Sequence, residues 1–89
     1  MPRVIRARDV GEALAAGGYE PSEYDPRHGW EPGYRAVQAG RRQVNVFHDG
    51  PGEEAGLDAY TTELRAHGYH VVPDQMPGGG RRRLHVTRP

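Results

Sequence analysis

Cysteine and lysine are both absent from the chain, and serine occurs once, at Ser22. Without cysteine there is no disulfide staple, no thiol nucleophile and no thiolate zinc site. A single serine in a proline-rich stretch, with no nucleophile-elbow motif around it, leaves nucleophilic catalysis little to work with. Apolar side chains are also scarce. Ile, Leu, Val and Phe together number fourteen of 89 residues, short of the roughly 20% below which disorder becomes an option. Disorder usually also needs high net charge, and here twelve arginines balance twelve Asp and Glu. Five tyrosines and Trp30 add apolar surface that the aliphatic count misses. A chain of this size buries only about 60–65% of its unfolded surface. The expectation is one lean domain spanning 1–89, for which self-association or a partner would be a natural supplement. No apolar run is long enough for a signal peptide or a membrane span, so the expected location is cytoplasmic.

What is present is a pattern stated twice. Leu14-x-Ala16-x-Gly18-Tyr19 returns fifty residues later as Leu64-x-Ala66-x-Gly68-Tyr69. Gly40-Arg41-Arg42-x-Val44-x-Val46 returns forty residues later as Gly80-Arg81-Arg82-x-Leu84-x-Val86. Each copy reads as a helix, its glycine stop and a hairpin with arginines at the turn, which makes the repeat a statement about architecture. The first copy holds about ten extra residues between its tyrosine and its arginine turn. All-arginine basic chemistry suits planar contacts to phosphate or carboxylate, although GC-rich coding explains it more simply. In composition and in this helix–glycine–tyrosine order the chain resembles the small proteins of actinobacteria, their phages and mobile elements. That resemblance implies no activity.

Asp9 has Glu12 three residues later, a capping-box pattern that predicts a first helix from about Val10 to Ala16, ended by Gly17-Gly18. The stretch 20–33 carries three prolines and no periodicity, which forbids a helix and disfavours a central strand; it is expected to be an insertion loop. Tyr34–Gln38 and Gln43–His48 read as a hairpin. Glu53 and Glu54 then open a second helix, whose stripe of Leu57, Tyr60, Thr61, Leu64 and His67 falls at helical spacing. Tyr69–Val72, a turn over Met76–Gly80 and Arg82–Thr87 make a second hairpin. This order, αββαββ, predicts an α+β fold with both helices on one face of a four-stranded antiparallel sheet. Pro32 and Pro73 suit edge positions, giving strand order 1-2-4-3.

No catalytic residue, metal site or cofactor is expected. His67, His70 and His85 have no known ligand spacing, and paired carboxylates such as Glu53-Glu54 are more simply helix-start charges. The predicted function is therefore non-enzymatic: a small binding module working through protein–protein contact, self-association included. Its expected interface residues are Tyr24, Arg27, Trp30, Tyr34 and Phe47, since aromatics with arginine on a constrained loop have the composition of an interface anchor. The competing expectation is that Trp30 and Tyr24 fold back to cap an undersized core. The alternative is a nucleic-acid-associated regulator that uses Arg35, Arg41, Arg42, Arg81, Arg82 and Arg83 around an exposed Phe47 on the sheet face away from the helices. No membrane or small-molecule partner is expected.

Overall fold

A computed structural model describes residues 3–89; Met1 and Pro2, part of the arginine-studded lead, lie outside the described residues. In chain order the elements are α1 (Ala7–Ala16), β1 (Tyr24–Asp25), β2 (Gly29–Trp30), β3 (Gly33–Gly40), β4 (Gln43–Asp49), α2 (Glu53–Ala66), β5 (His70–Gln75) and β6 (Arg82–Thr87). The protein is α+β, with one four-stranded and one two-stranded antiparallel sheet. The expected αββαββ order is interrupted, because the insertion folds into a hairpin of its own. Counted along the whole chain, the four-stranded order is thus β3-β4-β6-β5 rather than 1-2-4-3. Among the described residues, no helix is long and apolar enough to cross a membrane.

Alternation along the strands sends one set of side chains to the helices. Val44 and Val46 of β4, Leu84 and Val86 of β6, Val71 of β5 and Tyr34 of β3 meet Val10, Ala13 and Leu14 of α1 and Leu57, Tyr60 and Leu64 of α2 in one core. Ile5, ahead of α1, is buried with them. The helix starts three residues earlier than the capping-box pattern predicts: Arg6 is its N-cap, and Asp9 sits in the first turn without capping it. The reason is tertiary. The Ala7 N–H, which a local cap would otherwise serve, donates to Gln38 Oε1 at 2.8 Å.

Both helices stop in the same way. Tyr19 N donates to Leu14 O at 3.2 Å and Gly18 N to Ala15 O at 3.0 Å; Tyr69 N donates to Leu64 O at 3.1 Å and Gly68 N to Arg65 O at 3.0 Å. This is the Schellman arrangement, which requires a left-handed residue, and Gly18 and Gly68 supply it at φ 89° and 87°.

The two outer strands of the sheet are occupied along parts of their free edges. On β3, Tyr34 N donates to Glu20 O and Ser22 N to Tyr34 O, so the insertion adds a short parallel bridge there. β5 runs to Gln75, beyond the expected end at Val72. Met76 N donates to Arg81 O, so by antiparallel alternation the backbone polar groups of Val71, Pro73 and Gln75 point to the free edge. Arg65 Nη2 caps the Val71 carbonyl at 2.9 Å, and Pro73 has no N–H to offer.

Candidate functional site

Seven residues build the exposed hairpin. Asp25-Pro26-Arg27-His28 forms a turn in which His28 N donates to Asp25 O at 3.1 Å. The Asp25 carboxylate accepts from Arg27 N at 2.8 Å and from the His28 ring at 3.0 Å, and the His28 hydrogen bond lowers its pKa. Proline suits the second turn position, and Gly29 takes the left-handed conformation at φ 78°. Tyr24 and Trp30 are thereby paired across the strands, their rings edge to face at 5.4 Å. At its base the hairpin is fastened by Glu31 N to Glu23 O and by Ser22 Oγ to Glu31 O, both 2.7 Å.

Trp30 is not a core cap. It is 48% exposed and Tyr24 62%, and beneath the indole lies the Arg35 guanidinium, 4.8 Å from the ring centroid. Arg35 in turn covers Phe47 at 5.0 Å, and Arg81 stands over the same ring at 5.4 Å. Trp30, Arg35, Phe47 and Arg81 thus alternate ring and cation, an arrangement favoured by the ring quadrupoles. Asp49 fixes the two cations. Its carboxylate, 5% exposed, accepts from Arg35 Nε at 2.9 Å and Arg81 Nη1 at 2.8 Å. Arg81 also donates to the His48 carbonyl at 2.6 Å. Burial alone would raise the Asp49 pKa, but the hydrogen bonds from Arg35 and Arg81 outweigh it and hold the carboxyl at about 2.

Several expected site residues sit elsewhere than foreseen. Phe47 faces away from the helices, but it is 8% exposed and offers no free ring for stacking, because the long side chains of Arg35 on β3 and Arg81, just before β6, close over it. Tyr34 is likewise buried, its hydroxyl donating to Gly11 O at 3.0 Å. Arg27 is exposed at the hairpin tip. The β4–β6 register, Val44 opposite Val86 and Val46 opposite Leu84, puts Arg41 and Arg42 at one end of the sheet and Arg81, Arg82 and Arg83 at the other. Arg83 is committed to Asp74 at 2.9 Å. Arg82 is exposed beside a cleft of about 440 Å³ between α2 and the β5–β6 hairpin, floored by Leu57 and Leu84 and rimmed by Glu54, Asp58 and Asp74.

Asp49 was missed because the Asp-Gly-Pro-Gly sequence reads as a break, although 43, 45, 47 and 49 share one parity and one face. The histidines are dispersed. His70 lies opposite Thr87 and His85 opposite Val72, so His70 and His85 do not face each other across the strands, and among the described residues no group of three or more His, Asp or Glu could hold a metal. His48 has a structural role: its Nε2–H donates to Pro51 O at 2.9 Å and its Nδ1 accepts from the Tyr60 hydroxyl at 2.8 Å. Burial pushes that hydroxyl's pKa up to about 12. A Cβ at Gly56 would lie 2.6 Å from His48 Nδ1, so glycine there lets the helix approach. No family model, curated protein or solved structure matches the chain.

Proposed function

We propose that the protein is a non-enzymatic binding module acting through a protein–protein contact, self-association included, with Trp30 and Tyr24 as its anchors. One observation carries the reading: Trp30 is held by Arg35 against its ring and still stays about half exposed. A ring fixed before contact loses little conformational entropy on binding, and rigid aromatics beside arginine dominate binding energy at interfaces. The Asp25 turn and the Ser22 and Glu23 bonds supply the fixing. In the same reading the module needs no cofactor and works in the cytoplasm. Its two helix–hairpin halves are diverged copies of one unit, a view supported by their matching Schellman ends.

Immobilised protein is expected to retain a defined protein from an extract of its source cells. Trp30→Ala should retain about a tenth of it or less, with unchanged circular dichroism. Equal retention by the variant removes the anchor role. Sedimentation velocity showing a monomer at every concentration removes self-association.

A further inference from the structure

We infer that the end of the sheet carrying the β3–β4 turn binds the phosphate backbone of a nucleic acid without reading its sequence. The inference does not draw on the hairpin contact. The segment before α1 is lashed to this turn: Ile5 N donates to Arg41 O at 3.0 Å, and Gln38 Nε2 donates to Ile5 O at 2.9 Å. Arg3 and Arg6, which flank Ile5, are thereby brought to the end of the sheet that carries Arg41 and Arg42, and Arg8 follows in the first turn of α1. The β4–β6 register, continued two residues past Val44 and Val86, brings Arg88 alongside Arg42. All but the half-buried Arg88 are exposed.

Charge at this end is mostly uncompensated. Among the described residues, Arg8 alone of the six meets a carboxylate, Asp9 at 3.6 Å. At the opposite end, Arg35, Arg81 and Arg83 are paired with Asp49, Glu53 and Asp74. Acidic groups collect there as well, with Glu53, Glu54 and Asp58 in the first half of α2 and Glu20, Glu23 and Glu31 in the insertion. A chain of zero net charge is therefore polarised along the sheet, and only one pole attracts anions.

The chemistry of that pole selects the anion. Guanidinium forks match phosphate oxygens two at a time. The nearby Tyr69 ring already lies under Arg88 at 5.2 Å, so among the described residues this end offers no free ring for stacking bases. Among the described residues of the lashed segment, Val4 is the one exposed large apolar side chain, too little to seat in a lipid surface.

Fluorescence anisotropy with a labelled mixed-sequence DNA duplex tests the assignment. Binding should weaken steeply with salt, at a log–log slope of about −3 to −5, since each phosphate neutralised contributes about 0.9. Arg41→Ala/Arg42→Ala should weaken binding about tenfold or more at low salt and make the slope shallower by about 2. Arg3→Ala/Arg6→Ala should act alike, and Arg82→Ala should change little. Each variant is checked for an unchanged melting temperature. No binding at low salt, a salt-independent affinity or indifference to Arg41→Ala/Arg42→Ala overturns the inference. So does tighter binding to phosphatidylserine vesicles than to DNA. Salt-sensitive self-association without DNA, abolished by the same double variant, would instead make a second copy the occupant and overturn it too.

Discussion

Asp49→Ala is expected to lower stability by about 3 kcal/mol, seen as a fall in melting temperature of more than about 10 °C for a domain of this size. The carboxylate is the shared acceptor of two guanidiniums, and its removal leaves both cations facing each other across Phe47. Removing one partner from a buried pair costs about 3–5 kcal/mol. The arginine side chains are 28% and 41% exposed, so water softens the loss toward the lower end of that range. The same residue sets an acid dependence. Unfolded, the carboxyl binds its proton near 3.8; folded, only near 2. Between those values the unfolded chain holds more protons than the native one, so stability is complete above about pH 4 and falls as pH drops toward 2, by roughly 2 kcal/mol. Asp25 and Asp74 are shifted in the same direction, so the measurement is the difference between parent and variant in denaturant melts across that window. A variant with the parent's melting temperature and the parent's acid slope would show that the clamp contributes nothing.

Gly33→Ala should be nearly as damaging, at about 2–4 kcal/mol, and should also release the hairpin. A Cβ at Gly33 would lie 2.4 Å from Glu20 O, 2.7 Å from Pro21 C and 2.8 Å from Ser22 N, at a φ of 153°. These are backbone atoms of the segment that bonds Tyr34, so no side chain can swing aside to relieve the clash. The insertion must leave the β3 edge, and Trp30 loses its fixed seat on Arg35. The chain holds one tryptophan, so fluorescence anisotropy of Trp30 reports the hairpin alone and should drop, with faster proteolysis between Glu20 and Pro32. Gly40→Ala is the control, since φ there is 156° but a Cβ would meet nothing within 4 Å. If Gly33→Ala melts with Gly40→Ala and keeps the parent's anisotropy, the close approach does not hold the insertion.

Much of this architecture was legible in the residues. The stripe Leu57, Tyr60, Leu64 and the glycine stops at Gly18 and Gly68 read correctly because they depend on local periodicity and on one backbone conformation. The last strand, Arg82–Thr87, has the bounds the sequence suggests. Alternation also placed Arg35 and Phe47 on the face away from the helices, but alternation gives a face and not an exposure. What covers Phe47 comes from Arg35, twelve residues before it, and Arg81, thirty-four after. The start of α1 failed for a similar reason, since Gln38 serves the first N–H from 31 residues away. The insertion hairpin failed differently. Counting its prolines hid the Asp25-Pro26 turn signal with Gly29 behind it, which marks a hairpin by itself.

The occupied strand edges have a consequence for how copies of this protein meet. A sheet grows into a fibre when one copy's free edge templates the next. Here one edge carries Glu20–Ser22 over Tyr34, and the other presents Pro73 beside a carbonyl already taken by Arg65. Concentrated protein should therefore resist seeding into amyloid. Any assembly it forms should join through faces or ends and dissolve on dilution.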